Sequence, residues 1–373
     1  MSDHPEARMT AYLKRVASGP TKSKDLSLEE ARDGMEMILR RQISDVQSGA
    51  FLIALRMKRE SDDEHRGVLE ALRAATQSVT VPIPELVEIS DPYDGFKRHP
   101  PTSPFLLPLL AACGLPAISH GCAVIGPKFG VTHRQIFEKA NIPTLLTPAE
   151  AAKQVADSTI GWAYIDQSVF CPALYQLIEL RRLIVKRPCI ATLEKMCGPV
   201  RAEKNHLFIG YVHHGYEEQI PMAARHGGYD SCLTVKGVEG GVLLPMNKAQ
   251  AAYLYTHGDA VTREIVFDPA EAGINTAIRS VPLPPDCKEA ESNDTVAEGS
   301  ARIGIAALSG VDAGADPLIA PARDSLIFTA SAVLVAIGRT ASLREAARIV
   351  RHALDSGAAF VRLVAVRGGR SPG

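Results

Sequence analysis

The chain has 373 residues, is 46% hydrophobic and 22% charged, and carries a net charge of −1. That length allows two domains, or one large α/β domain with an added module. The neutral balance excludes a global electrostatic drive toward nucleic acid, so any such site must be a local basic patch. The cysteines are Cys113, Cys122, Cys171, Cys189, Cys197, Cys232 and Cys287, with no C-x-x-C pair among them. This points to a reduced, cytoplasmic protein without structural zinc. The opening MSDHPEARMT lacks the apolar core of a signal peptide. The most apolar run, 326–338, is too short to cross a bilayer and reads as a buried helix, so no membrane partner is expected.

Residues 9–80 read as helical. Ser27 with Glu30, Ser44 with Gln47, and Ser61 with Glu64 have capping-box spacing. Ala31, Met35, Ile38 and Leu39 follow the first box at helical spacing; Val68, Leu69, Leu72 and Ala75 follow the third. The middle run from Gln47, QSGAFLIALRMK, is apolar on nearly all sides, as a helix in a core or a subunit interface would be. Pro82 and Pro84 mark the crossing into a region where strands and helices alternate.

Residues 90–140 concentrate the ligand-binding signals. Asp91-Pro92-Tyr93-Asp94-Gly95 follows a short apolar strand, and ligands sit at the carboxyl ends of strands in α/β folds. The plainer alternative is an Asx turn in which the aspartates bond their own backbone. Ser103 with Pro104 opens an apolar helix, so backbone N–H groups at Thr102 and Ser103 would form an anion site. A second strand, 116–119, leads to His120-Gly121 and to a glycine-rich turn carrying Lys128. Thr132 and Gln135 then cap another helix. Two such sites in tandem suggest a ligand with more than one phosphate.

Further strands are expected at 163–165, 207–212, 231–235, 264–267 and 360–366, with a helix at 172–185 between them. That helix places Arg182 and Lys186 on one face, with Arg187 and Lys195 close behind, a local basic patch. The bland reading is a solvated helix end favoured by the macrodipole. Adjacent His213 and His214 would point to opposite faces of a strand and make a poor metal pair. The proline-rich 268–301 and the Gly/Ala/Pro-rich 310–321 read as long connections. Helices at 325–337 and 343–356 close the pattern, the second with Ser342 and Glu345 at capping-box spacing.

The run DVQSGAFLIALRMK, the Asp91–Gly95 turn, Thr102-Ser103, Ser119-His120-Gly121-Cys122, the 128–132 loop and HALDSGAA from His352 resemble, in order, the anthranilate phosphoribosyltransferases. The class III nucleoside phosphorylases share that scaffold. The resemblance implies a small N-terminal helical domain beside a larger α/β domain with a mostly parallel central sheet, and a homodimer. The implied division is 1–80, completed by helices from about 172–200, against 81–171 with 201–373. The departures are specific. Pro92 and Tyr93 replace glycines of the family's diphosphate loop. Ser119 and Cys122 replace its Lys and Asn. Glu239-Gly240 stands where the family holds Mg²⁺ with an Asp-Glu pair, so only a weak metal site at Glu239 is implied. Asp-Pro-Tyr-Asp-Gly, Pro127–Thr132, Thr192–Lys195 and Gly237–Gly240 together are similar to the anthranilate phosphoribosyltransferase-like paralogues, a branch associated with nucleic-acid binding. The implied function is binding of a phosphate-rich ligand, a phosphorylated small molecule or single-stranded nucleic acid, with anthranilate transfer lost. The alternative is an active Mg²⁺-dependent phosphoribosyltransferase or nucleoside phosphorylase. Implied ligand contacts are Asp91, Asp94, Gly95, Thr102, Ser103, His120, Gly121 and Lys128; those for nucleic acid or substrate are Arg182, Lys186, Arg187 and Lys195.

Overall fold

Four helices come first: α1 (Pro5–Val16), α2 (Leu28–Leu39), α3 (Asp45–Lys58) and α4 (Asp62–Ala74). The computed structural model describes residues 4–367 apart from 20, 260, 285–291 and 310–316. Cys287, Pro285 and most of the expected 310–321 connection therefore lie outside the described residues. The boxes at Ser27 and Ser61 are reciprocal, side chain to backbone in both directions. Ser44 accepts from the Gln47 N–H without the return bond. Glu64 is fully buried and also accepts from the Leu26 N–H (2.9 Å) and the Lys58 ammonium (2.6 Å), so one cap carboxylate ties three segments together. Phe51, Leu52 and Leu55 of α3 are buried within the chain, whereas Val46 and Met57 remain exposed.

After a short strand β1 (Val79–Thr80) the sheet begins with β2 (Glu85–Ser90). Then come α5 (Leu106–Ala112), β3 (Ala117–Gly121), α6 (His133–Lys139), α7 (Pro148–Ala156) and β4 (Trp162–Asp166). Four short helices follow: α8 (Gln167–Phe170), α9 (Pro172–Tyr175), α10 (Ile178–Ile184) and α11 (Ile190–Leu193). α10 packs on α3 and α11 on α4. The chain returns through β5 (Val200–Arg201), which pairs with β1, and β6 (Lys204–Gly210). α12 (Tyr216–His226) leads to β7 (Ser231–Val235), β8 (Gln250–Thr256) and β9 (Arg263–Phe267). The seven strands are ordered β4-β3-β2-β6-β7-β8-β9. The first five run parallel, and β8 and β9 are antiparallel additions at one edge. This is a helical bundle beside a larger α/β unit with a mostly parallel sheet, as the sequence led us to expect.

Four expectations need correction. Residues 360–366 are not a strand but lie in a helix, Ala358–Arg367; Ala359, Leu363 and Val366 are its buried face, spaced for a helix rather than alternating. The 268–301 connection contains the start of another helix, Asn293–Leu308, which Ser292 caps by accepting from the Asp294 N–H. Gly304 lets this helix sit against the Phe105 ring, 2.0 Å from where a Cβ would stand. Residues 172–185 are two short helices, not one. Finally, the apolar run near 326 belongs to a helix of 18 residues, Ile319–Ala336, long enough to cross a membrane; 67% of it is buried inside the chain.

α4 lies directly on α2, and Gly67 is the point of closest approach: a Cβ there would stand 2.2 Å from the Leu28 carbonyl oxygen. Gly67→Ala should cost about 1–3 kcal/mol of stability. Urea unfolding should show a lower midpoint with an unchanged slope; an unshifted midpoint would mean that the two helices part freely.

Candidate functional site

The loops that leave the carboxyl ends of β2, β3, β6 and β7 meet the α10–α11 segment around a cavity of about 370 Å³. Open α/β sheets place ligands at this end. Pro92, Tyr93 and Asp94 form one wall, Gly126 to Lys128 a second, Val185 to Lys195 a third, and Tyr211, Val212, His213 and Tyr216 a fourth. Arg56 reaches in from α3, and its Nη1 donates to the Arg187 carbonyl oxygen at 2.5 Å.

Below the wall built from the β2 turn, Asp91 acts as a junction. Its Oδ2 accepts from Ser103 Oγ and, at 2.7 Å, from His133 Nε2; its Oδ1 accepts from the Val242 N–H at 2.7 Å. Ser119 Oγ donates to the other nitrogen of His133 at 3.1 Å. Burial alone would raise the Asp91 carboxyl, but the His133 ring and the Ser103 hydroxyl more than offset it and hold it below its usual range. A second buried chain runs beside it. Glu88 accepts from His120 Nε2 (2.8 Å) and Tyr229 Oη (2.9 Å), and Tyr93 Oη meets His120 Nδ1. Again burial works to raise Glu88, and His120, Arg201 and Tyr229 together hold it low.

The cavity itself is lined by cations. Arg187 bonds the Asp94 carboxylate through Nε at 2.9 Å and through Nη2. Lys128 donates to the Gly95 carbonyl oxygen at 2.7 Å, with Glu239 3.8 Å away and the Phe96 ring beneath it. Gly95 has φ +73, and any Cβ would stand 2.5 Å from the Gly130 backbone, so this turn needs glycine. Lys195 donates to the Gly210 carbonyl oxygen at 3.0 Å, and burial pushes its ammonium down to about 8. Arg181 is 4% exposed and forks onto Glu194 at 2.6 and 2.7 Å, with Gln167 Nε2 on the same carboxylate at 3.0 Å.

Asp94, Lys128, Lys186, Arg187, Lys195 and Glu239 thus meet at one cavity. The other expected contacts do not reach it. Thr102 and Ser103 are fully buried: α5 starts later, at Leu106, and the Ser103 hydroxyl is spent on Asp91, so no exposed anion site forms there. Asp91, His120 and Gly121 are buried beneath the wall. Arg182 is exposed and paired with Glu179 on the same helical turn. It does not share a face with Lys186, because α10 ends at Ile184 and Val185 turns away with φ +65. Arg181 takes the inward place. The Tyr93 and Phe96 rings are 4% and 3% exposed, so neither offers a face on which a base could stack. Glu239 is not placed as a metal ligand. Its carboxylate accepts from the Lys97 N–H (3.2 Å), the Arg98 N–H (2.6 Å) and His99 Nδ1 (3.1 Å). Sequence reasoning missed Arg56, His133 and Tyr211; Arg56 and His133 meet their partners 131 and 14 to 42 positions away, where no local pattern marks them.

The chain matches the helical bundle domain of the glycosyl transferase family over residues 10–76. It is 25% identical over 353 residues to the anthranilate phosphoribosyltransferase of Rhodopseudomonas palustris, an alignment that covers 95% of each chain. Over nearly its whole length the chain resembles anthranilate phosphoribosyltransferases. Solved anthranilate phosphoribosyltransferases share its fold. That of Thermus thermophilus superposes with a TM-score of 0.72 at 19% identity, covering 95% of this chain and 98% of its own. The Saccharomyces cerevisiae enzyme, solved in complex with PRPP and Mg, gives 0.75 at 17% identity, covering 96% of each. In this chain the loops after β2 and β3 are held by the buried Asp91 and Glu88 hydrogen-bond chains.

Because folding lowers the Glu88 and Asp91 carboxyls, their stabilisation is present above the unfolded values, near 4, and is lost as pH falls through the native ones. Glu88→Gln should therefore cost about 1–3 kcal/mol at pH 7, and its deficit against wild type should shrink as the pH is lowered below about 4. Urea titrations at several pH values check this; a deficit that grows in acid would reverse the assignment.

Proposed function

We propose that this cavity binds a phosphate-bearing ligand on an anthranilate phosphoribosyltransferase-like scaffold, and that the ligand extends in the cell to the backbone of a single-stranded nucleic acid. The observation that carries the reading is the convergence of Arg56, Lys128, Lys186, Arg187 and Lys195 on one concave site in a chain of net charge −1. Lys97 and Arg98 are exposed, and their backbone is held by Glu239 of the cavity wall, which continues the basic character outward. Phe129, 36% exposed, and Tyr216, half-buried at the cavity, supply ring faces.

Anthranilate transfer is weak or lost in this reading. Pro92 and Tyr93 occupy the turn after β2, and Asp91 is enclosed by Ser103, His133 and Val242. The same reading divides the chain into a helical unit, 1–80 with 172–200, and an α/β unit. It also pairs two copies through the helical unit, where Val46, Met57 and Leu183 are exposed. A cytoplasmic location goes with it.

Lys186→Ala with Arg187→Ala should weaken binding of single-stranded DNA at every sequence. It should also flatten the dependence of log K on log salt by up to about 1.4, at roughly 0.7 per contact. Arg182→Ala should change neither. Filter binding over a salt series measures both; a double variant that binds like wild type removes the cavity from the reading. In steady-state assays with anthranilate and PRPP, turnover should stay below the 1–10³ s⁻¹ range of typical enzymes, that is, below about 1 s⁻¹.

A further inference from the structure

The fold's solved relative with PRPP carries Mg, so the fit of a divalent ion to this cavity can be tested residue by residue. Mg²⁺ takes carboxylates and phosphate oxygens in octahedral geometry. Asp94, Glu194 and Glu239 are the carboxylates that border the cavity among the described residues. Each already serves a partner within the protein. Asp94 holds Arg187, Glu194 holds Arg181 and Gln167, and Glu239 holds two backbone N–H groups and His99. Asp91, just beneath, is occupied by Ser103, His133 and the Val242 N–H. No group of three or more His, Cys, Asp or Glu is arranged to hold a metal among the described residues. The donor set does not fit Mg²⁺.

What stands among these carboxylates is an ammonium group. Lys128 Nζ lies 2.7 Å from the Gly95 carbonyl oxygen and 3.8 Å from Glu239, over Phe96, with its side chain 20% exposed. Asp94 acts on it electrostatically as well. One of its three donors is spent on Gly95, and the cation remains at the cavity wall. We propose that Lys128 is the resident cation of this cavity, so that a diphosphate-bearing ligand binds there without a divalent metal. This rests on the anion-binding reading above and goes beyond it by replacing the metal with a named side chain.

The test is calorimetry of inorganic diphosphate with the full chain, once in EDTA and once with Mg²⁺. Wild type should bind in EDTA. Lys128→Met should bind about tenfold more weakly in EDTA, as loss of one charge-assisted contact implies. Lys128→Arg should keep metal-free binding, which separates lost charge from lost fold. Wild-type binding that appears only with Mg²⁺ overturns the inference and leaves the anion-binding reading standing. Undiminished binding by Lys128→Met in EDTA also overturns it. Absence of diphosphate binding under both conditions overturns the inference as well, while the single-stranded DNA salt series decides the anion-binding reading on its own.

Discussion

The Asp91 carboxylate is the constraint around which the site is arranged. It directly follows β2, and its three donors come from the loop before α5, from α6 and from the turn after β7. A buried carboxylate needs such partners, because an unpaired charge in this environment is far costlier than the bonds that satisfy it. Once those donors are in place, the β2 turn has a single course. It passes under Gly130 and Val131, whose backbone pairs with Asp94 and Phe96, and so sets Lys128 against Gly95.

The opposite wall depends on a second buried ion pair. Arg181 and Glu194 lie on either side of the α10–α11 turn, and their forked contact fixes the segment that carries Lys186, Arg187 and Lys195. Lys195 then reaches the end of β6 through Gly210. Arg187 crosses to Asp94, and Arg56 holds the Arg187 backbone from α3. The helical part and the sheet part are therefore joined across the cavity by the same side chains that give it its charge.

Much of the fold was legible because its signals are local. Ser27, Ser61 and Thr132 cap their helices with the partners three residues on, as the spacing indicates. Ser342 accepts from the Glu345 N–H, but the Glu345 carboxylate bonds Ala341 instead, a difference of one residue that spacing does not resolve. The expected strand at 360–366 is a helix because a short run of Val, Leu and Ala fits both periods, and packing against α5 selects the helical one. The site was legible as a region and not as a residue set. Basic residues at 181–187 were visible, but which one faces inward depends on where α10 stops, and Val185 decides that with a backbone conformation rare for a β-branched residue. Arg56 meets Arg187 across 131 positions, a contact that no local pattern encodes.

One side of the cavity is made of peptide groups. Gly210 and Gly240 line it, and the Gly210 and Gly237 backbones approach the Gly241 carbonyl oxygen so closely that a Cβ would stand 2.1 and 1.9 Å away. Three glycines in contact leave no side chain for substitution to reshape. Descendants of this sequence can alter what the cavity selects only by rewriting its side-chain walls, over a floor whose shape they inherit unchanged.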